Sequence, residues 1–143
     1  MKDYLIYIAE DDEDDREFFL DALAEIPLSC TTRVFSNGID LMDDLFSSSK
    51  LPDIIFLDLR MPLMDGFECL TDIRNFNKFS NIKIVVYSTS YHEREVRQLE
   101  EDGANRYLQK PSSFNVLKTL LYQSVKSLEP EHAYSDKEFV ILS

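Results

Sequence analysis

Five residues stand directly after short apolar runs: Glu10 and Asp11 after YLIYIA, Asp58 after IIFL, Ser88 after IVVY and Lys110 after RYLQ. Together they offer three carboxylates, a hydroxyl and an amine. A carboxylate can act as a nucleophile toward phosphorus or carbon, and several carboxylates in one place form a set of hard oxygen donors. Such a set cannot stand alone. At about 4 Å and an effective dielectric near 20, each like-charged pair costs roughly 4 kcal/mol before solvent relaxes. Lys110 supplies one compensating charge. A divalent cation with a preference for oxygen supplies the rest, and magnesium suits one or two carboxylates plus waters and a phosphate oxygen.

The elements that bring these residues together are legible as alternating periods. Tyr4–Ala9, Thr31–Phe35, Ile54–Leu57, Lys83–Tyr87 and Arg106–Gln109 read as strands, and the continuously apolar middle ones are those expected of strands buried on both faces. Between them run helical spacings. The first carries Phe18, Phe19, Ala22, Leu23 and Ile26; the others are Ile39–Ser47, Phe67–Asn75, Glu93–Asp102 and Phe114–Leu128. The fourth helix has only Val96 and Leu99 to face inward, so it is thinly anchored, and it stops before Gly103. Five β–α repeats with right-handed crossovers imply an α/β fold, a doubly wound parallel five-stranded sheet with helices on both faces. In such sheets the ligand site lies beyond the carboxyl ends of the strands. All five chemistry-bearing residues fall on that edge.

Length and composition bound the function classes. A chain of 143 residues with 44% hydrophobic and 12% aromatic residues is about one domain with a packed core. Its 27 acidic against 15 basic residues leave a charge of −12, with Glu10 to Asp15 consecutively acidic. Direct nucleic-acid binding is disfavoured, because phosphate contacts need clustered cations and Arg94, Arg97, Arg106, Lys110 and Lys118 are scattered. No run is long enough for a signal peptide or a membrane span, so a cytoplasmic protein is expected. Cys30 and Cys69 are neither metal-spaced nor a disulfide framework and read as reduced thiols. Residues 1–128 are expected to form the domain and 129–143 a tail, whose apolar Phe139-Val140-Ile141-Leu142 docks on its own domain or joins a partner chain as a homodimer arm.

With those residues in view, the chain resembles the receiver domain of two-component response regulators, as in the chemotaxis regulator. The resemblance rests on the acidic pair Glu10-Asp11, Asp58 in LDLRMPLMDG, Ser88 in VVYSTS and Lys110-Pro111 in GANRYLQKP, and it spans about residues 4–128. It implies the flavodoxin-like strand order 2-1-3-4-5, with Asp58 as phosphoacceptor and Glu10, Asp11, Asp58 and the Arg60 backbone carbonyl around magnesium. Lys110 and the Ser88 hydroxyl would contact the phosphoryl group, Thr89 and Pro111 would be further residues of the site, and Lys110-Pro111 would be cis. Tyr107 would be the switch aromatic, turning inward when the hydroxyl moves toward phosphate, with the fourth helix, fifth strand and fifth helix as the surface that reads it. A phosphohistidine of a sensor histidine kinase or phosphotransfer protein would be the donor and a downstream protein the target. The match covers no output domain, so a stand-alone regulator is expected, a signalling phosphoacceptor with self-phosphorylation and autodephosphorylation chemistry rather than an enzyme.

Other readings stand beside this one. A haloacid-dehalogenase-like phosphatase also has a nucleophilic Asp after a strand, yet needs a second acid two residues on, where this chain has Arg60. A flavin-binding module would need a Ser/Thr/Gly-rich loop after the first strand, where EDDEDD repels phosphate. A degenerate receiver would bind proteins without being phosphorylated. Glu13, Asp14 and Asp15 read as solvated first-turn acids that suit a helix dipole. The long Arg60 side chain is expected to reach over the site and alter phosphate lifetime.

Overall fold

A computed structural model describes residues 2–129 and 138–141. The chain runs β1 (Asp3–Ala9), α1 (Glu13–Ala24), β2 (Ser29–Phe35), α2 (Gly38–Ser47), β3 (Ile54–Leu57) and α3 (Gly66–Arg74). A 3-10 turn at Asn77–Phe79 leads to β4 (Lys83–Ser88), α4 (Glu93–Glu101), β5 (Arg106–Gln109), α5 (Phe114–Ser127) and β6 (Val140–Ile141). All neighbouring strands pair in parallel, in the order β2-β1-β3-β4-β5-β6. The expected order of the first five strands is therefore present, and the expected count of five is corrected to six among the described residues. Val140–Ile141 adds to β5, which would otherwise present an unpaired apolar edge. A two-residue strand carries no period by which the sequence could announce it.

Alternation along each strand divides the core into two halves. In β3, Ile54 and Phe56 face one way, Ile55 and Leu57 the other. The first half also holds Phe19, Ala22 and Leu23 of α1 and Leu117, Leu121 and Val125 of α5. The second holds Leu41 and Leu45 of α2, Cys69, Leu70 and Ile73 of α3, and Val96 and Leu99 of α4. This is why the central strands are apolar throughout, while edge strand β2 leaves Thr31 to Val34 exposed.

Helix starts are set by side chains that accept otherwise unpaired backbone N–H groups. Asp12 caps α1 by accepting from Asp15 N, Asn37 caps α2, Asp65 and Glu68 form a capping box on α3, and Ser113 caps α5. The α4 start at His92 has no side-chain cap. Beneath α3 the packing leaves no room for a side chain at Gly66, where a Cβ would lie 2.3 Å from the Asp58 carbonyl oxygen. Gly103 adopts φ 108, and its carbonyl accepts from Arg74 Nε at 2.9 Å. Among the described residues no helix is long and apolar enough to cross a membrane. Cys30 and Cys69 are free, and burial, with Asp65, Asp72 and Glu68 nearby, pushes the Cys69 thiol up to about 12, so it stays protonated.

Candidate functional site

Parallel pairing in register brings the carboxyl ends of β1, β3, β4 and β5 to one edge. Glu10 and Asp11 follow β1, and Asp58 follows β3; one carboxylate oxygen from each lies within 4.8 Å of the others. Glu10 and Asp58 are buried and Asp11 is exposed. Lys110, just after β5, sends its ammonium under them. Its Nζ donates to Glu10 Oε1 at 2.5 Å and to Asp15 Oδ2 at 3.0 Å, and it lies 3.8 Å from Asp58 Oδ1. The Tyr87 ring lies 5.2 Å from the same nitrogen.

Two local bonds hold the acidic loop in place. Asp12 N donates to Glu10 Oε2 at 3.2 Å, and Arg16 donates to the Glu10 carbonyl at 2.9 Å. Asp15 was expected to be a solvated first-turn acid, and it is instead the second carboxylate on Lys110. Nothing in the sequence separates it from Glu13 and Asp14; its place in the first turn of α1 puts it within reach of Lys110.

The electrostatics are unbalanced toward negative charge. Burial, then the neighbouring Glu10 carboxylate, raises Asp58 to about 7, against the pull of Lys110 and a hydrogen bond from the Arg60 backbone. For Lys110, burial disfavours the ammonium, but hydrogen bonds to Glu10 and Asp15 and the charge of Asp58 outweigh it and raise its pKa. One lysine therefore does not neutralise the cluster. The donor set is all hard oxygen and still carries excess negative charge, which fits a divalent cation.

The remaining expected residues lie around this core. Ser88 is buried at the end of β4, with Ser90 Oγ 3.2 Å from its hydroxyl. Thr89 is exposed, and its carbonyl accepts from Gln109 at 3.1 Å. Tyr107 is 1% exposed: its ring is turned inward, its hydroxyl donates to the Ser90 carbonyl, and the Tyr91 ring meets it edge-on at 5.7 Å. Burial raises the Tyr107 phenol, against hydrogen bonds involving Ser88 and Ser90. Ser90 was not singled out from sequence, and nothing in its spacing marks it.

Two expectations are corrected. The Lys110–Pro111 bond is trans, since no peptide bond among the described residues is cis, which is also the ordinary preference of such bonds. The Arg60 side chain does not reach over the carboxylates; it runs toward α4, 3.4 Å from Glu95, with its guanidinium 5.6 Å from the Phe67 ring. An opposite charge and an aromatic face on that side decide its direction.

Comparison with known proteins agrees with this geometry. The family model for the response regulator receiver domain matches residues 6–122. Sensor histidine kinase CheAY of Helicobacter pylori is 30% identical over 124 residues, covering 87% of this chain and 15% of that protein. The chain spans less than half the length of the curated relatives it matches, 15%, 44% and 27% for the first three. Among solved structures, the phosphorylated cyanobacterial phytochrome response regulator RcpA superposes with a TM-score of 0.77 at 25% identity, covering 88% of this chain and 93% of that one. The Mn(2+)-bound form of response regulator Rcp1 superposes at 0.76 and 28% identity, covering 89% and 96%.

Proposed function

We propose, because this chain belongs to the response regulator receiver domain family, that Asp58 accepts a phosphoryl group and that this changes a protein-binding surface. The observation that carries the reading is the cluster itself. A buried carboxylate at a strand end has two further acids within 4.8 Å and a buried ammonium 3.8 Å away. In the transfer, an Asp58 carboxylate oxygen forms a bond to phosphorus as the P–N bond of a phosphohistidine breaks, its electron pair returning to the ring nitrogen. The donor is a sensor histidine kinase or a phosphotransfer protein, and the reader is a downstream target protein.

Magnesium suits the donor set, with Glu10, Asp11, Asp58 and the Arg60 backbone carbonyl as protein ligands. When bound it supplies positive charge against the phosphoryl oxygens and the acidic cluster. Lys110 holds Glu10 and Asp15 in position and stands ready to pair with the new phosphoryl charge. Ser88 donates to a phosphoryl oxygen after leaving Ser90. That exchange, followed by Tyr107 through Ser90, carries the change toward α4, β5 and α5.

Intact mass after incubation with acetyl phosphate tests the reading, with an Asp58→Asn variant and a magnesium-free sample alongside. One phosphoryl adduct requiring both Asp58 and magnesium is expected. An adduct on Asp58→Asn would move the acceptor elsewhere. Absence of an adduct, together with no response to beryllofluoride, would leave a phosphorylation-independent binding module.

A further inference from the structure

The strand Val140–Ile141 touches Tyr107, whose hydroxyl reaches the loop after β4. Tyr107 N donates to the Phe139 carbonyl at 2.9 Å, and the Tyr107 Cα is in register with Val140. Phe139 is buried in the same apolar cluster as Tyr107, Val96 and Leu99, and Val140 packs against it. Ile141 packs on the opposite face, against the cluster of α1 and α5. The strand thus straddles the β5 edge and is gripped on both faces. It also forms one wall of a groove of about 410 Å³ that reaches Tyr91, Lys110 and Pro111.

We infer that Phe139 and Val140 are positioning residues that hold the Tyr107 ring inward, where it contacts Ser90 and Ser88. The physical argument has two parts. A tyrosine on an edge strand has an outward alternative, with its ring over the open side of β5; here that side is filled by β6. The inward ring needs a partner for its buried hydroxyl, and the Ser90 carbonyl provides it. Because Phe139 and Val140 occupy the outward position, docking of β6 shifts the balance toward the inward one, and whatever favours the inward ring binds more tightly when β6 is docked.

This inference rests on the phosphoacceptor reading only for its second measurement. The full chain carrying Phe139→Ala and Val140→Asp is compared with the parent, and with Ile141→Pro, which releases the strand by removing a backbone donor instead of side-chain packing. Exchange of the Tyr107 amide reports detachment of β6. Tyrosine ring resonances in magnesium-free solution, with a soluble paramagnetic agent, then report the ring. In the parent it is shielded; in the variant with β6 released it becomes accessible, and Phe139→Leu restores shielding. Titration with beryllofluoride and magnesium is expected to be weaker by about 5-fold or more in the released variants. A freely exchanging Tyr107 amide with a ring still shielded, or with unchanged beryllofluoride affinity, overturns the inference. If no variant, the parent included, binds beryllofluoride, the phosphoacceptor reading fails while the ring measurement still decides this one.

Discussion

The helices on the two sides of the candidate site are held very differently. On one side α5 buries Leu117, Leu120, Leu121, Ser124 and Val125, starts at a Ser113 cap, and packs beside α1, which buries Phe19, Ala22 and Leu23. On the other side α4 buries only Val96 and Leu99 and starts without a side-chain cap. Its polar tie to the site loop is the exposed pair Arg60–Glu95. Local stability follows buried apolar contact, so the α1–α5 side is the fixed wall and α4 the part that can move at small cost. Under the proposed function, a site that changes shape when a charge arrives would use both: the wall would keep the carboxylates and Lys110 in place while α4 moves.

The sharpest test exchanges the same chemistry between the two sides. Leu121→Ala on α5 is expected to cost about 2–5 kcal/mol of global stability, read as a fall in the urea midpoint. Leu99→Ala on α4, although also fully buried, is expected to lose less globally and to show its loss as faster amide exchange confined to α4. Equal global losses would erase the contrast.

Next comes the charge lodged between the two sides. In the metal-free protein the folded-state pKa of Asp58 is raised to about 7, above its unfolded value. The folded state therefore holds its proton more tightly, and the ionised carboxylate weakens the fold progressively as pH rises from about 4 through 7. Asp58→Asn removes that penalty. It is expected to raise metal-free stability by up to about 4 kcal/mol at pH 8, with the gain vanishing toward pH 4. Thermal melts across pH measure it, and a gain independent of pH would mean that Asp58 is not the strained group.

Smaller effects come from the caps. Ser113→Ala is expected to cost about 1 kcal/mol, and His92→Asp, which offers α4 the cap it lacks, to gain about 0.5–1 kcal/mol. Amide protection in each helix is the measure. A stabilised α4 should also answer beryllofluoride with a smaller change in its signals. Last is Arg60→Ala, worth about 0.5 kcal/mol or less because the pair is exposed and screened. Its mark is faster exchange in α4, fading as salt is added; an effect that persists at high salt would point instead to the lost packing on Phe67.

Much of this was legible in the chain because it depends on where strands end. Glu10, Asp11, Asp58, Ser88 and Lys110 each follow an apolar run, and parallel pairing then puts them on one edge whatever the details of packing. The order of the first five strands came by resemblance and is present. What was not legible depends on which neighbour a flexible side chain selects. Asp15 looked like one acid among six until Lys110 chose it, and Arg60 looked poised over the site until Glu95 and Phe67 turned it away. β6 was missed as a strand because two residues carry no period, although their apolar character did point to docking.

The tight packing at Gly66 widens the footprint of the site beyond its chemistry. Any side chain there would press on the backbone of Asp58, because the Asp58 carbonyl oxygen lies where the first carbon would go. A saturation library screened for signalling would therefore show position 66 as intolerant as position 58, although glycine brings no reactive atom. Such a map, read without the structure, would credit Gly66 with a role in the reaction. Its contribution is the lack of a side chain: information carried in the gene as the absence of a methyl group, and as easily lost to one nucleotide change as the Asp58 carboxylate itself.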